Sequence, residues 1–133
     1  MNATMRAVQW QGNAYNVTVA DVPMPTIINQ TDAIVKLSTA AICGSDLHIY
    51  RGTQPGNPPP YGIGHEGVGY VSEIGSAVGS LSVGDPVVIP FNTPEGHLHT
   101  SLTEHMYAGY GLGQLGGTQG KSIETDSRSK FLY

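Results

Sequence analysis

The 133 residues include a single cysteine, so no internal disulfide can form and cysteine usage gives no sign of secretion. Charge is scarce too. Only 12% of residues are charged, six Lys and Arg against ten Asp and Glu, for a net charge of −4. A chain so poor in cations has no basic patch, which excludes nucleic acid as a partner. Aromatic residues make up 8%. Nowhere is there the run of ~18 apolar residues that a membrane span needs. The stretch from Met1 to Gln11 lacks an apolar segment with a small-residue cleavage site, so no signal peptide is read and a cytoplasmic location is expected. Without secretion, the Asn-x-Ser/Thr triplets at Asn2, Asn16 and Asn29 are chance matches.

Glycine and proline are plentiful, at 18 and 9. With few aromatics, that balance suits a turn-rich β protein better than a helical bundle. Met5–Trp10 reads as a short strand, ended by Gln11-Gly12-Asn13, and Asn16–Val22 as its hairpin partner. Pro23 and Pro25 stop that partner. A longer strand, Asp32–Ile42, delivers Cys43 at its end. Ser45 is placed to cap a short helix through Tyr50, with Asp46 favourable in the first turn. A Pro/Gly loop follows, with Pro58-Pro59-Pro60 expected extended. Val68–Ile74 and Pro86–Pro90 complete five or six short strands, which suggests a small barrel.

Two stretches carry the chemistry. Cys43-Gly44-Ser45-Asp46-Leu47-His48 offers the only thiol, with a hydroxyl and an imidazole behind it. Gly64-His65-Glu66-Gly67 offers an imidazole and a carboxylate fenced by glycines. Thiolate, imidazole and carboxylate are the donors zinc uses. Cys43 and His65 are 22 residues apart, a spacing that suits two segments brought together by a fold. Cys43 is read as a zinc ligand or as a small buried hydrophobe, His65 as a ligand or a structural histidine. Glu66 is either a third ligand or a member of a local ion pair. Adjacent strand residues face opposite ways, so its joining His65 needs irregular backbone. Glu73 and Asp85 sit beside turns and read as solvated.

The ordered pair Cys-Gly-Ser-Asp-Leu-His and Gly-His-Glu-Gly-x-Gly resembles the catalytic-zinc signature of the zinc-dependent medium-chain alcohol dehydrogenases. Val71-Ser72-Glu73-Ile74-Gly75 and Val83-Gly84-Asp85-Pro86-Val87-Val88 continue the likeness, which covers Met5 to Phe91. The resemblance implies a mainly β, GroES-like barrel with one short helix. It implies zinc held by Cys43 and His65, with Glu66 able to approach, and Asp46 accepting from the second nitrogen of His65. It also implies hydride transfer between an alcohol or aldehyde and NAD(P). Ser45 and His48 would then relay the alcohol proton to water, the rival readings being a helix cap for Ser45 and an exposed surface histidine for His48.

Past Phe91 the likeness is expected to stop. Residues 1–91 read as the zinc-binding half-domain and 92–133 as a divergent, poorly ordered Gly/His-rich tail. The four cysteines of the family's structural-zinc lobe, its third zinc cysteine and a Rossmann domain have no counterpart in the 133 residues. Gly109–Gly113 has glycines but no βαβ unit, and His97, His99 and His105 are weak substitutes for a third ligand. Truncation, altered splicing or a damaged reading frame would each explain the departure. Whether the chain is an enzyme is therefore left open. It is read as part of an alcohol dehydrogenase, inactive alone, or as a non-catalytic vestigial barrel binding zinc or a partner. Unpaired strand edges would favour association.

Overall fold

The computed structural model describes residues 3–54, 58–91 and 118, and the backbone course of 122–126. The elements run β1 (Thr4–Trp10), β2 (Val17–Pro23), β3 (Asp32–Ala41), α1 (Gly44–Tyr50), β4 (Tyr61–Gly62), β5 (Glu66–Ile74), β6 (Pro86–Ile89) and β7 (Ser122–Asp126). Among the described residues the protein is mainly β, as composition and turn residues foretold, with one short helix. The strands form two sheets, ordered β2-β1-β4 and β6-β5-β3-β7.

The first sheet begins with the expected hairpin. Trp10 pairs with Val17 and Thr4 with Pro23 in an unbroken antiparallel register. Its turn uses Gly12 and Tyr15 at positive φ, and the Tyr15 N–H donates to the Tyr50 carbonyl at 2.6 Å. That bond fastens the hairpin tip to the last residue of α1. Trp10 and Tyr61 then pack against Ile49 of α1 and against Ile63 in a small buried cluster. Burying side chains of this size stabilises by roughly 1.5–3 kcal/mol each. The helix that follows Cys43 is thereby pressed onto the first sheet.

In the second sheet, β5 alternates buried and exposed positions from Glu66 to Ser72, the period-2 pattern of a half-buried strand. Its inward positions at 67 and 69 are glycines because β3 passes very close. A Cβ on Gly69 would collide with the Lys36 carbonyl. The register of β3 on β5 shifts between Leu37 and Thr39, and Ser38 Oγ at the shift donates to the Val68 carbonyl at 3.1 Å. Val35, Val71, Val87 and Ile89 form the centre of the larger core.

Three expectations need correction. The helix is capped by Cys43, not Ser45. The carboxylate of Asp46, third residue of the helix, accepts from the Cys43 backbone N–H at 2.9 Å, so the helix starts two residues earlier than a Ser45 cap requires. Pro58–Pro60 bends, with a cis Pro59–Pro60 bond, and leads into β4, which pairs with β1. Within the stretch expected to be a poorly ordered tail, residues 122–126 form β7, hydrogen-bonded to β3 from Asp32 to Lys36. Backbone pairing on a sheet edge needs few apolar side chains, so composition alone hid it. The rest of 92–133, apart from Thr118, lies outside the described residues. So do His97, His99, His105 and Gly109–Gly113.

Candidate metal centre

Cys43 stands in extended backbone between the end of β3 and α1, at φ −90° and ψ 162°. From there its side chain meets the segment entering β5. Gly64, with φ +97°, makes the turn that delivers His65 just before the strand begins. Only Glu66 belongs to β5, so strict strand alternation does not separate the two. One sulfur of Cys43, one ring nitrogen of His65 and one carboxylate oxygen of Glu66 lie within 4.8 Å of one another. Cys43 and His65 are half-buried and Glu66 is exposed.

The second contacts around His65 set which nitrogen is available. Asp46 is buried, and its Oδ1 lies 3.4 Å from His65 Nδ1. That distance allows attraction, but the pair is not aligned as a hydrogen bond, and Oδ1 has no other protein partner. The other oxygen, Oδ2, takes the Cys43 N–H. One carboxylate therefore holds the backbone of one candidate ligand and faces the ring of another. With Nδ1 turned to Asp46, Nε2 is the nitrogen left for a ligand, and Ser45 Oγ lies 3.2 Å from it.

The donor set fits zinc. A thiol, an imidazole with its far nitrogen facing a carboxylate, and a second carboxylate are the groups zinc takes, and three protein donors leave a fourth position open. The Asp46 oxygen without a protein hydrogen bond is placed to accept from the ring of a metal-holding histidine.

His48 stands exposed on α1, and its carbonyl accepts from the Thr53 backbone N–H and hydroxyl. Phe91 was marked in the sequence only as the point where the motifs end. Its ring meets His65 edge-on, with centroids 5.1 Å apart. With His65 and Glu66 it lines an open cleft of about 370 Å3, whose walls include Ala40, Ala41, Val68, Val88 and Ile89. A lone phenylalanine after a strand carries no local signal for such a position.

The profile of the alcohol dehydrogenase GroES-like domain family matches residues 29–129. This chain belongs to that family. The match runs well beyond Phe91, where the motif likeness was expected to end, and it takes in β7. Among relatives of this GroES-like chain is the uncharacterized zinc-type alcohol dehydrogenase-like protein AdhB of Bacillus subtilis. It is 51% identical over 88 residues, which are 66% of this chain and 23% of that protein. The alcohol dehydrogenase TADH from Thermus sp. ATN1 superposes with a TM-score of 0.76 at 31% identity, over 92% of this chain and 38% of that one. A short-chain alcohol dehydrogenase from E. coli CFT073, complexed with NADH, superposes at 0.78 with 26% identity, over 98% and 39%. The GroES-like chain thus spans about a quarter of the length of its curated relative AdhB. Among its described residues no helix is long and apolar enough to cross a membrane.

Proposed function

We propose that this chain supplies the zinc-holding part of an alcohol dehydrogenase that exchanges hydride between an alcohol and NAD(P). The observation that carries the reading is the convergence of Cys43, His65 and Glu66 within 4.8 Å. Cys43 acts as thiolate, His65 as neutral imidazole through Nε2, and Glu66 as the third donor. Zinc bound there supplies Lewis-acid polarisation of an alcohol oxygen.

The remaining work falls to side chains of this chain. Asp46, whose Oδ1 faces His65 Nδ1 at 3.4 Å, keeps the ring turned toward the donors. The Ser45 hydroxyl, beside Nε2, stands where an alcohol proton is passed on. His48, exposed on the same helix, hands it to water. The apolar cleft under Phe91 receives the carbon part of an alcohol or aldehyde. NAD(P) enters from likeness to dehydrogenases such as the NADH complex. A thiolate ligand suits the reducing cytoplasm.

Elemental analysis of the purified 133 residues tests the metal. We expect zinc at one per chain, removable by a strong chelator, and lost from Cys43→Ala. Retention of zinc by Cys43→Ala would refute the site. The same preparation is expected to show no NAD(P)-dependent oxidation of a panel of alcohols, since the GroES-like part alone aligns with a fraction of its relatives. Turnover abolished by Cys43→Ala would instead show that these residues are a complete enzyme.

A further inference from the structure

His65 and Glu66 are neighbours in a segment bounded by Gly64, at φ +97°, and Gly67. Glycine on both sides leaves that segment little stiffness of its own. Beyond the pairing of Glu66 with Ala41 of β3, a hold on it comes from far along the chain. Thr118 is fully buried. Its backbone N–H donates to the Gly64 carbonyl at 3.0 Å, on one side of His65. Its Oγ1 donates to the Glu66 carbonyl at 3.3 Å, on the other side. The side chain rests against Gly67, where a Cβ would come within 3.1 Å of Thr118 Cβ and Cγ2.

We propose that Thr118 is a positioning residue for the metal centre: by bracketing His65 from both sides, it sets the directions of the imidazole and of the Glu66 carboxylate. The proposal rests on the zinc reading above, which makes those two groups donors. The backbone half of the bracket survives any substitution except proline, so the hydroxyl is the half a variant can remove. Without it the Glu66 peptide keeps its pairing with Ala41 of β3 but loses its hold from Thr118, and the two donors shift relative to one another.

The test loads the full 133-residue chain with Co2+ in place of zinc and records the ligand-field absorption, with affinity measured by chelator competition. Thr118→Val keeps the shape and removes the donor, while Thr118→Ser keeps the donor. The valine variant is expected to show an altered spectrum and about tenfold weaker binding, the scale on which supporting contacts act at metal sites. The serine variant is expected to match the wild type. A packing role alone would lower stability without moving the spectrum. Identical spectra and affinities for wild type and Thr118→Val would overturn the proposal. If Thr118→Val does not fold, Gly67→Ala, which pushes the threonine aside with its hydroxyl intact, carries the test. The same spectral change is expected of it, and an unchanged spectrum overturns the proposal. A wild-type chain that binds no Co2+ would sink the zinc reading first and this inference with it.

Discussion

Replacing Asp46 by asparagine separates the two tasks of its carboxylate. Asparagine can still accept the Cys43 N–H, which Asp46 holds at 2.9 Å, but it carries no charge to face the His65 ring. Asp46→Asn is therefore expected to weaken zinc binding by about 10–100-fold with little loss of stability. Asp46→Ala should add the loss of a helix cap, about 1 kcal/mol. Chelator competition and thermal melts on both variants check this, and equal zinc affinity in Asp46→Asn and wild type would contradict it. Tyr61 gives a pH prediction. Burial raises its pKa above the ordinary 10.0, because the folded interior disfavours the phenolate. The folded chain then holds the Tyr61 proton more tightly than the unfolded chain does. Stability is unaffected by Tyr61 below about pH 10 and falls as pH rises from there through the folded pKa. Tyr61→Phe should flatten that alkaline decline in urea melts taken across the range, and an unchanged decline would assign it to other groups. At this scale the three residues that converge were legible, since Cys43, His65 and Glu66 stand in motifs of unusual composition. The cap was not, because a serine in first place looks like the better cap until the carboxylate of Asp46 is seen reaching back. Thr118 was not legible either, since its partners lie more than 50 residues away.

Strand packing around the site depends on two glycines that face inward from β5. At Gly69 a methyl group would strike the Lys36 carbonyl, a backbone atom that cannot swing aside. Gly69→Ala is expected to cost on the order of 3 kcal/mol in urea unfolding, by overpacking. Gly79→Ala, where nothing lies within 4 Å of the added carbon, should stay within about 0.5 kcal/mol. Equal costs at the two positions would show that the β3–β5 crossing is looser than described. Periodicity made most strands legible: β1, β2, β3, β5 and β6 fall within two residues of their expected limits. It failed for β4, whose two residues are too short to show a period, and for β7, whose Ser, Glu and Asp read as solvated text. Both gain their order from partners, β1 and β3, rather than from their own pattern.

For the molecule as a whole, the described sheets have outer strands at β2 and β4 in one and at β6 and β7 in the other. On β2, Val17 and Val19 are exposed, and Val19 is 56% accessible. An apolar edge of this kind pairs readily with another chain. Purified alone, the 133 residues are expected to associate with rising concentration in light scattering, and Val19→Lys to reduce that association. A monodisperse monomer at all concentrations would contradict it. The motifs had already pointed to the family, but they could not show that residues beyond Phe91 return to the sheet, because that return runs through backbone pairing. What all of this depends on is one metal ion shared by segments 22 residues apart. A calorimetric titration of zinc into wild type, Cys43→Ala, His65→Ala and the double variant tests it most directly. The account predicts one site in the wild type, severe weakening in each single variant, and a double variant barely worse than either, since the two donors serve the same ion. Two independent losses that add in the double variant, or a site that survives both changes, would contradict it.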